Sequence, residues 1–315
     1  MINHKSLLLG TAQWGWTVSR EEAFRLMDAW RAAGHRKIDA ATNYPINRSP
    51  ADFRASERIL LEYIQAQGQY DLDLTMKIGS LDNMRTPEIN LAPSFILMMT
   101  EEYRRIFGDN LRCVMLHWDN RADASAIRAS LEALAVVQQT HEVRVGLSGI
   151  LHPDIYASVN RDTGLTFDIQ LKHNVLHSDI SRYVPFYQPL SGTSTAQASP
   201  PAHRFFAYGI NAGGVKLEGP YPAGSTFVAR GGDPDKTAAT LESIRQRLPH
   251  WNLAQVRPPV RTMNQLGLIF AGLHPQLNGI VLGLRSVAQL QESLDFWRNL
   301  DTFDYSDVFA ALGRL

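Results

Sequence analysis

The chain has 315 residues, 44% of them hydrophobic, and 31 Lys and Arg side chains balance 31 Asp and Glu for no formal net charge. That balance argues against a nucleic-acid or polyanion-binding face, which needs a positive excess, so a small molecule is the expected partner. A single cysteine, Cys113, excludes an intrachain disulfide and fits a reducing compartment. Residues Met1 to Lys5 lack the charged and apolar regions of a signal peptide, and no apolar run reaches the ~18 residues a membrane span requires. A cytoplasmic protein without a membrane segment is expected. The sequence does not specify an oligomeric state.

In chain order, short apolar runs alternate with stretches of helical period. Ser6–Ala12 predicts the first strand and Glu21–Arg31 the first helix. Strand Lys37–Ala41 and helix Ser56–Gln67 follow, then strand Leu72–Ile78 and helix Ser94–Phe107. The next pair is strand Arg112–His117 and helix Ala124–Gln138, before strands at Val143–Ser148, Phe167–Leu171 and Phe205–Tyr208. Helix Thr237–Leu248, strand Gly279–Gly283 and helix Val287–Trp297 complete the series. Apolar residues at three- and four-residue intervals in the helical stretches suit one face packed on a sheet. Strand-helix alternation with short links implies parallel strands, and eight such units close into a (β/α)8 TIM barrel, here one domain over residues 1–315. Two stretches rich in Pro, Gly, Ser and Thr, Tyr183–His203 and Pro220–Asp235, read as long loops after late strands.

In a parallel barrel, catalytic groups sit where strands end, at one mouth. Strand two ends in Asp39 to Tyr44, strand three carries Lys77, and strand four ends in His117, Trp118 and Asp119. These four types, Asp39, Tyr44, Lys77 and His117, form a coherent acid catalyst. A phenol titrates near 10, too high to release its proton readily at neutral pH. A neighbouring ammonium stabilises the phenolate, and a buried carboxylate keeps that ammonium charged. A histidine in reach orients a carbonyl or helps relay the proton. Lys77 lies inside an apolar strand, where an unpaired ammonium is expensive, so a carboxylate partner is expected.

With those residues in place, the sequence from Leu7 to about Leu294 resembles the aldo-keto reductase superfamily. The resemblance assigns Tyr44 as proton donor, Lys77 as the group that tunes it, Asp39 as the anchor of Lys77, and His117 as the carbonyl-orienting residue. Ser56-Glu57 resembles the pair that opens the family's second helix. The family binds a nicotinamide cofactor, and the resemblance transfers Ser148, Gln170 and Tyr208 to the nicotinamide end, with Gly149 where the family has Asn and Gly209 where it has Ser. It transfers Gly209, Gly213 and Lys216 to the pyrophosphate loop. It places Gly283, Arg285, Ser286, Gln289 and Glu292 at the adenosine end. Arg285 suits a 2′-phosphate because its planar fork matches phosphate oxygens, and Ser286 occupies a helix N-cap position, so NADPH is expected over NADH. No Gly-x-Gly-x-x-Gly follows the first strand, so a Rossmann site is not expected.

Trp14 and Trp16, after the first strand, either wall the substrate pocket or pack within their loop. Trp118 and His173 are assigned to the substrate side, although packing also accounts for a histidine on a strand. Lys216 either meets the pyrophosphate or pairs with Glu218 in a solvated loop. His152, His173 and His177 lack the pattern of a metal site, so none is expected. Cys113 reads as a small buried hydrophobe. The resemblance implies reduction of an aldehyde, ketone or sugar-like carbonyl. Two alternatives stay open: an NADPH-binding regulatory barrel with little turnover, and a Schiff-base aldolase using Lys77.

Overall fold

The computed structural model describes residues 5–68, 70–187, 203–221, 225–229, 231–253 and 256–315. Its strands are β1 (Ser6–Gly10), β2 (Lys37–Ala41), β3 (Asp73–Ile78), β4 (Leu111–His117), β5 (Arg144–Ser148), β6 (Phe167–Asn174), β7 (His177–Ser178), β8 (Arg204–Tyr208) and β9 (Gly279–Leu282). The helices are α1 (Arg20–Ala32), α2 (Ala55–Gln67), α3 (Pro93–Phe107), α4 (Ala124–His141), α5 (Pro153–Thr163), α6 (Val184–Tyr187), α7 (Thr226–Ala229), α8 (Pro234–Leu253), α9 (Met263–Gly272), α10 (Val287–Thr302) and α11 (Ser306–Leu312).

Eight strands, all but β7, run parallel in the order β5-β4-β3-β2-β1-β9-β8-β6, and pairing of β5 with β6 closes the barrel. This is the expected (β/α)8 architecture. The small strand β7 folds back antiparallel on the end of β6. Each helix is set by local chemistry. Ser19 caps α1 by accepting from Glu22 N, Glu21 and Glu22 occupy its first turn, and it buries Ala23, Leu26, Met27 and Trp30. Asp123 caps α4, and Thr262 with Gln265 forms a capping box at α9.

The interior of the barrel is layered, as strand alternation requires. At the bottom, Asp168 accepts from Arg144 and Arg204, and Arg144 also reaches Asp73. Above them Leu8, Phe206 and Val281 form an apolar layer. The polar top layer holds Asp39, Lys77, His117, Ser148 and Gln170, all buried. The main apolar core lies between the outer face of the barrel and the helices.

Three helices have no counterpart among the predicted elements: α5, α9 and α11. The reason is clearest at α9, whose buried residues include Leu266, Gly267, Leu268, Ile269 and Ala271. A helix covered by the barrel, α10 and α11 is apolar nearly all round and loses the amphipathic period. Gly267 is required there, since a Cβ would meet Ile210 O at 2.5 Å. The loop expected over Pro220–Asp235 contains α7 and the start of α8. Of the loop expected over Tyr183–His203, residues 188–202 lie outside the described residues and the first part is helical as α6. Among the described residues no helix is long and apolar enough to cross a membrane.

Candidate active site

A cleft of about 1110 Å³ opens at the C-terminal ends of the strands. One end is walled by Tyr44, Ile46, His117 and Trp118, and it extends over the loops after β8 and β9. The register of β2 on β3 sets Ala41 beside Lys77, so the turn that carries Tyr44 rises directly over the lysine. The alternation of β4 directs Cys113, Met115 and His117 into the barrel.

Lys77 is 1% exposed, and its ammonium donates to Asp39 Oδ2. The other oxygen of Asp39 accepts from Gln170 Nε2 at 2.5 Å, and Gln170 Oε1 accepts from the Ser148 hydroxyl at 3.2 Å. Asp39 is thus held by donors from β3 and β6 together. Lys77 Nζ lies 4.9 Å from the centroid of the Tyr44 ring. The His117 ring meets Tyr44 edge-on, with centroids 5.9 Å apart. Burial lowers the Lys77 pKa, and the Asp39 carboxylate opposes that shift. Burial and then the Lys77 ammonium hold His117 well below its usual value, so its imidazole is neutral at physiological pH. Burial pushes the Tyr208 phenol upward, which keeps it protonated.

The expected cofactor residues are largely brought to this cleft. Ser148, Gln170, Tyr208, Gly209, Gly213, Lys216, Gly283, Arg285, Gln289 and Glu292 all line it. Ser286 is not part of the wall but caps α10, accepting from Gln289 N at 3.3 Å, while Gln289 Oε1 accepts from Arg285 N at 3.0 Å. Glu22 of α1 reaches the same helix start and accepts from Val287 N at 3.1 Å. The glycine-rich loop after β8 turns inward: the N–H groups of Ala212, Gly214 and Val215 donate to its own carbonyls. Lys216 lines the cleft, and among the described residues no ion pair joins it to Glu218. The carbonyl oxygens of Asn211 and Asn264, two cleft residues, are buried without a partner. Unsatisfied acceptors, glycines and cations along an elongated cleft fit a bound dinucleotide, whose amide, ribose and phosphate groups would meet them.

The model of the aldo/keto reductase family matches residues 6–312. The chain belongs to the aldo/keto reductase family. Among solved structures it is similar to the aldo-keto reductase AKR11C1 from Bacillus halodurans in its holo form, with a TM-score of 0.71 at 16% identity. That likeness covers 98% of this chain and 91% of the other, and shows the fold. None of the curated protein sequences compared matches the chain. Family membership makes this protein an oxidoreductase of the class that reduces carbonyls with NAD(P)H.

Against the family frame, three expected substrate residues fall elsewhere in this reductase. Trp14 is 0% exposed and packs in the main core, so it walls no pocket. Trp16 lies outside the cleft wall. His173 points to the outside of the barrel with Ile169 and Leu171, because Gln170 two strand positions away from Lys172 takes the inward face. Its ring stacks on Phe270 at 4.5 Å and its Nδ1 meets Ser178 Oγ at 2.8 Å. Trp118 does line the cleft, and it explains Gly149. A Cβ at that glycine would lie 2.7 Å from Trp118 Cδ1 and 3.3 Å from the Tyr208 hydroxyl, so the indole fills the space an Asn side chain would need. The cleft also gathers Arg85, Lys172, Lys236, Arg261 and Asn264, which the sequence reading missed. Lys172 was legible, since it follows Gln170 by two on one strand. Arg261 and Asn264 flank the start of the unrecognised helix α9.

Proposed function

We propose that this chain is an NADPH-dependent reductase that converts an aldehyde, ketone or sugar-like carbonyl to an alcohol, with Tyr44 as proton donor. The observation that carries the reading is the buried Asp39–Lys77 ion pair beneath Tyr44 at the floor of the cleft. A bound reduced nicotinamide supplies the hydride. His117, held neutral, donates or accepts a hydrogen bond at the substrate oxygen without adding charge. As negative charge develops on that oxygen, the Tyr44 hydroxyl delivers its proton, and Lys77 stabilises the phenolate left behind. Asp39 keeps Lys77 charged and fixed in a site that would otherwise favour its neutral form. Lys77 is screened from the cleft, which disfavours its use as a Schiff-base nucleophile.

At the adenosine end, Arg285 and Arg261 are both cleft residues, and their guanidinium forks suit a 2′-phosphate. Fluorescence titration with NADPH and NADH tests this assignment. The expected result is tighter binding of NADPH, with the preference reduced about tenfold or more in Arg285→Ala, the cost of one charge-assisted contact. Equal affinity for both nucleotides in the unaltered protein would contradict it.

A further inference from the structure

The chain carries no net charge, yet the rim of the cleft at the Tyr44 end is cationic. Arg85 comes from the loop after β3, and Lys172 stands on the inward face of β6. Both line the same cleft as Tyr44 and His117. They lie away from the β8 and β9 loops that carry Lys216 and Arg285, so the cofactor's phosphates do not account for them. Burial and the nearby Arg48 guanidinium both lower the Arg85 pKa, as expected where like charges crowd.

The acids that could neutralise this rim are committed elsewhere. Asp39 is the only carboxylate of the cleft wall at this end, and it is paired with Lys77. Asp82, in the same loop as Arg85, accepts from Met84 N at 2.7 Å and from the Thr86 hydroxyl. Asp179 accepts from Arg182 at 3.2 Å and from the rim residue His177 at 3.1 Å. Lys172 makes no ion pair among the described residues. Residues 188–202 contain no charged side chain, so that stretch brings no carboxylate wherever it lies.

We infer that the substrate is a carbonyl compound that also carries an anionic group, a carboxylate or phosphate, held by Arg85 and Lys172 while its carbonyl lies at Tyr44 and His117. The inference rests on the reductase reading. Each cation presents donors that match such oxygens, and charge-assisted contacts at a partly desolvated rim are stronger than neutral ones. Arg85 and Lys172 are thus specificity-determining residues. They choose the substrate and leave proton transfer to Tyr44.

Two readouts test it. In turnover, 4-carboxybenzaldehyde is compared with its methyl ester. The carboxylate is expected to be favoured about tenfold or more in kcat/KM, chiefly through KM. Arg85→Gln and Lys172→Gln should each lower the carboxylate's value more than the ester's. In binding, protein loaded with NADP+ is titrated calorimetrically with 4-(hydroxymethyl)benzoate and with its methyl ester. Tighter binding of the acid, weakened in both variants, supports the inference whether or not turnover is seen. Equal or better binding and turnover of the ester would overturn it. Preferential binding of the acid with no reduction of either aldehyde would overturn the reductase reading alone.

Discussion

An ammonium at 1% exposure is an expensive object, and Lys77 persists there because each of its neighbours has a task. Desolvating one ion costs several kcal/mol, and removing either member of such a buried pair destabilises by about 3–5 kcal/mol. Asp39 has no spare oxygen, since one is held by Lys77 and the other by Gln170. Gln170 is therefore both part of the cleft wall and a strut for the catalytic pair, with one amide N–H left to offer a ligand. Gly149 shows the opposite economy, a residue defined by what it lacks. Its φ of +63° is tolerated by Asn better than by most side chains, but the Trp118 indole occupies the space a Cβ needs. Gly149→Asn is expected to lower stability by about 1–3 kcal/mol through overpacking and to weaken NADPH binding as the indole is displaced. Chemical denaturation and nucleotide titration check this. An unchanged midpoint would show that Trp118 yields freely.

At the scale of elements, legibility followed periodicity. All eight barrel strands were visible as short apolar runs, and their ends gave the catalytic positions because a strand's terminus at the mouth needs a polar residue. Asp39, Tyr44, Lys77 and His117 were legible for that reason. β6 extends to Asn174, beyond the run ending at Leu171, because Lys172 and Asn174 face the mouth and break the apolar pattern. α9 was hidden by the opposite cause, since burial on several sides leaves no polar face to mark a period. Missing α9 also hid Arg261 and Asn264. His173 and Trp14 were misplaced because sequence gives a residue's position along a strand or loop more readily than the side it faces. For His173 the period of two from Gln170 was available and decides the matter. For Trp14 no periodic neighbour exists, and only packing shows that it turns inward.

At the scale of the whole molecule, the half-buried and buried histidines tie folding to pH. Burial, before any charge effect, lowers His173, His203 and His274 each to about 4, and His117 well below its usual value. In the unfolded chain an imidazole titrates near 6.5. Between about pH 4 and about 6.5 the unfolded state therefore binds more protons than the folded one, so stability rises with pH across that window. It is lost as pH falls from 6.5 toward 4. The denaturation midpoint is expected to fall between pH 7 and pH 5, and His274→Gln should flatten the decline. A midpoint constant over that interval would contradict these assignments. The mouth of the barrel repeats the same logic locally, since the burial that keeps His117 neutral also makes the Asp39–Lys77 pair necessary.

The most direct test of the account replaces Tyr44 with Phe and measures NADPH-dependent aldehyde reduction beside NADPH affinity. Loss of the proton donor should reduce kcat by about 10²–10⁴-fold while the nucleotide still binds with nearly unaltered affinity. Full activity in Tyr44→Phe would contradict the assignment of Tyr44 as the acid, and with it the role given to Asp39 and Lys77 beneath it.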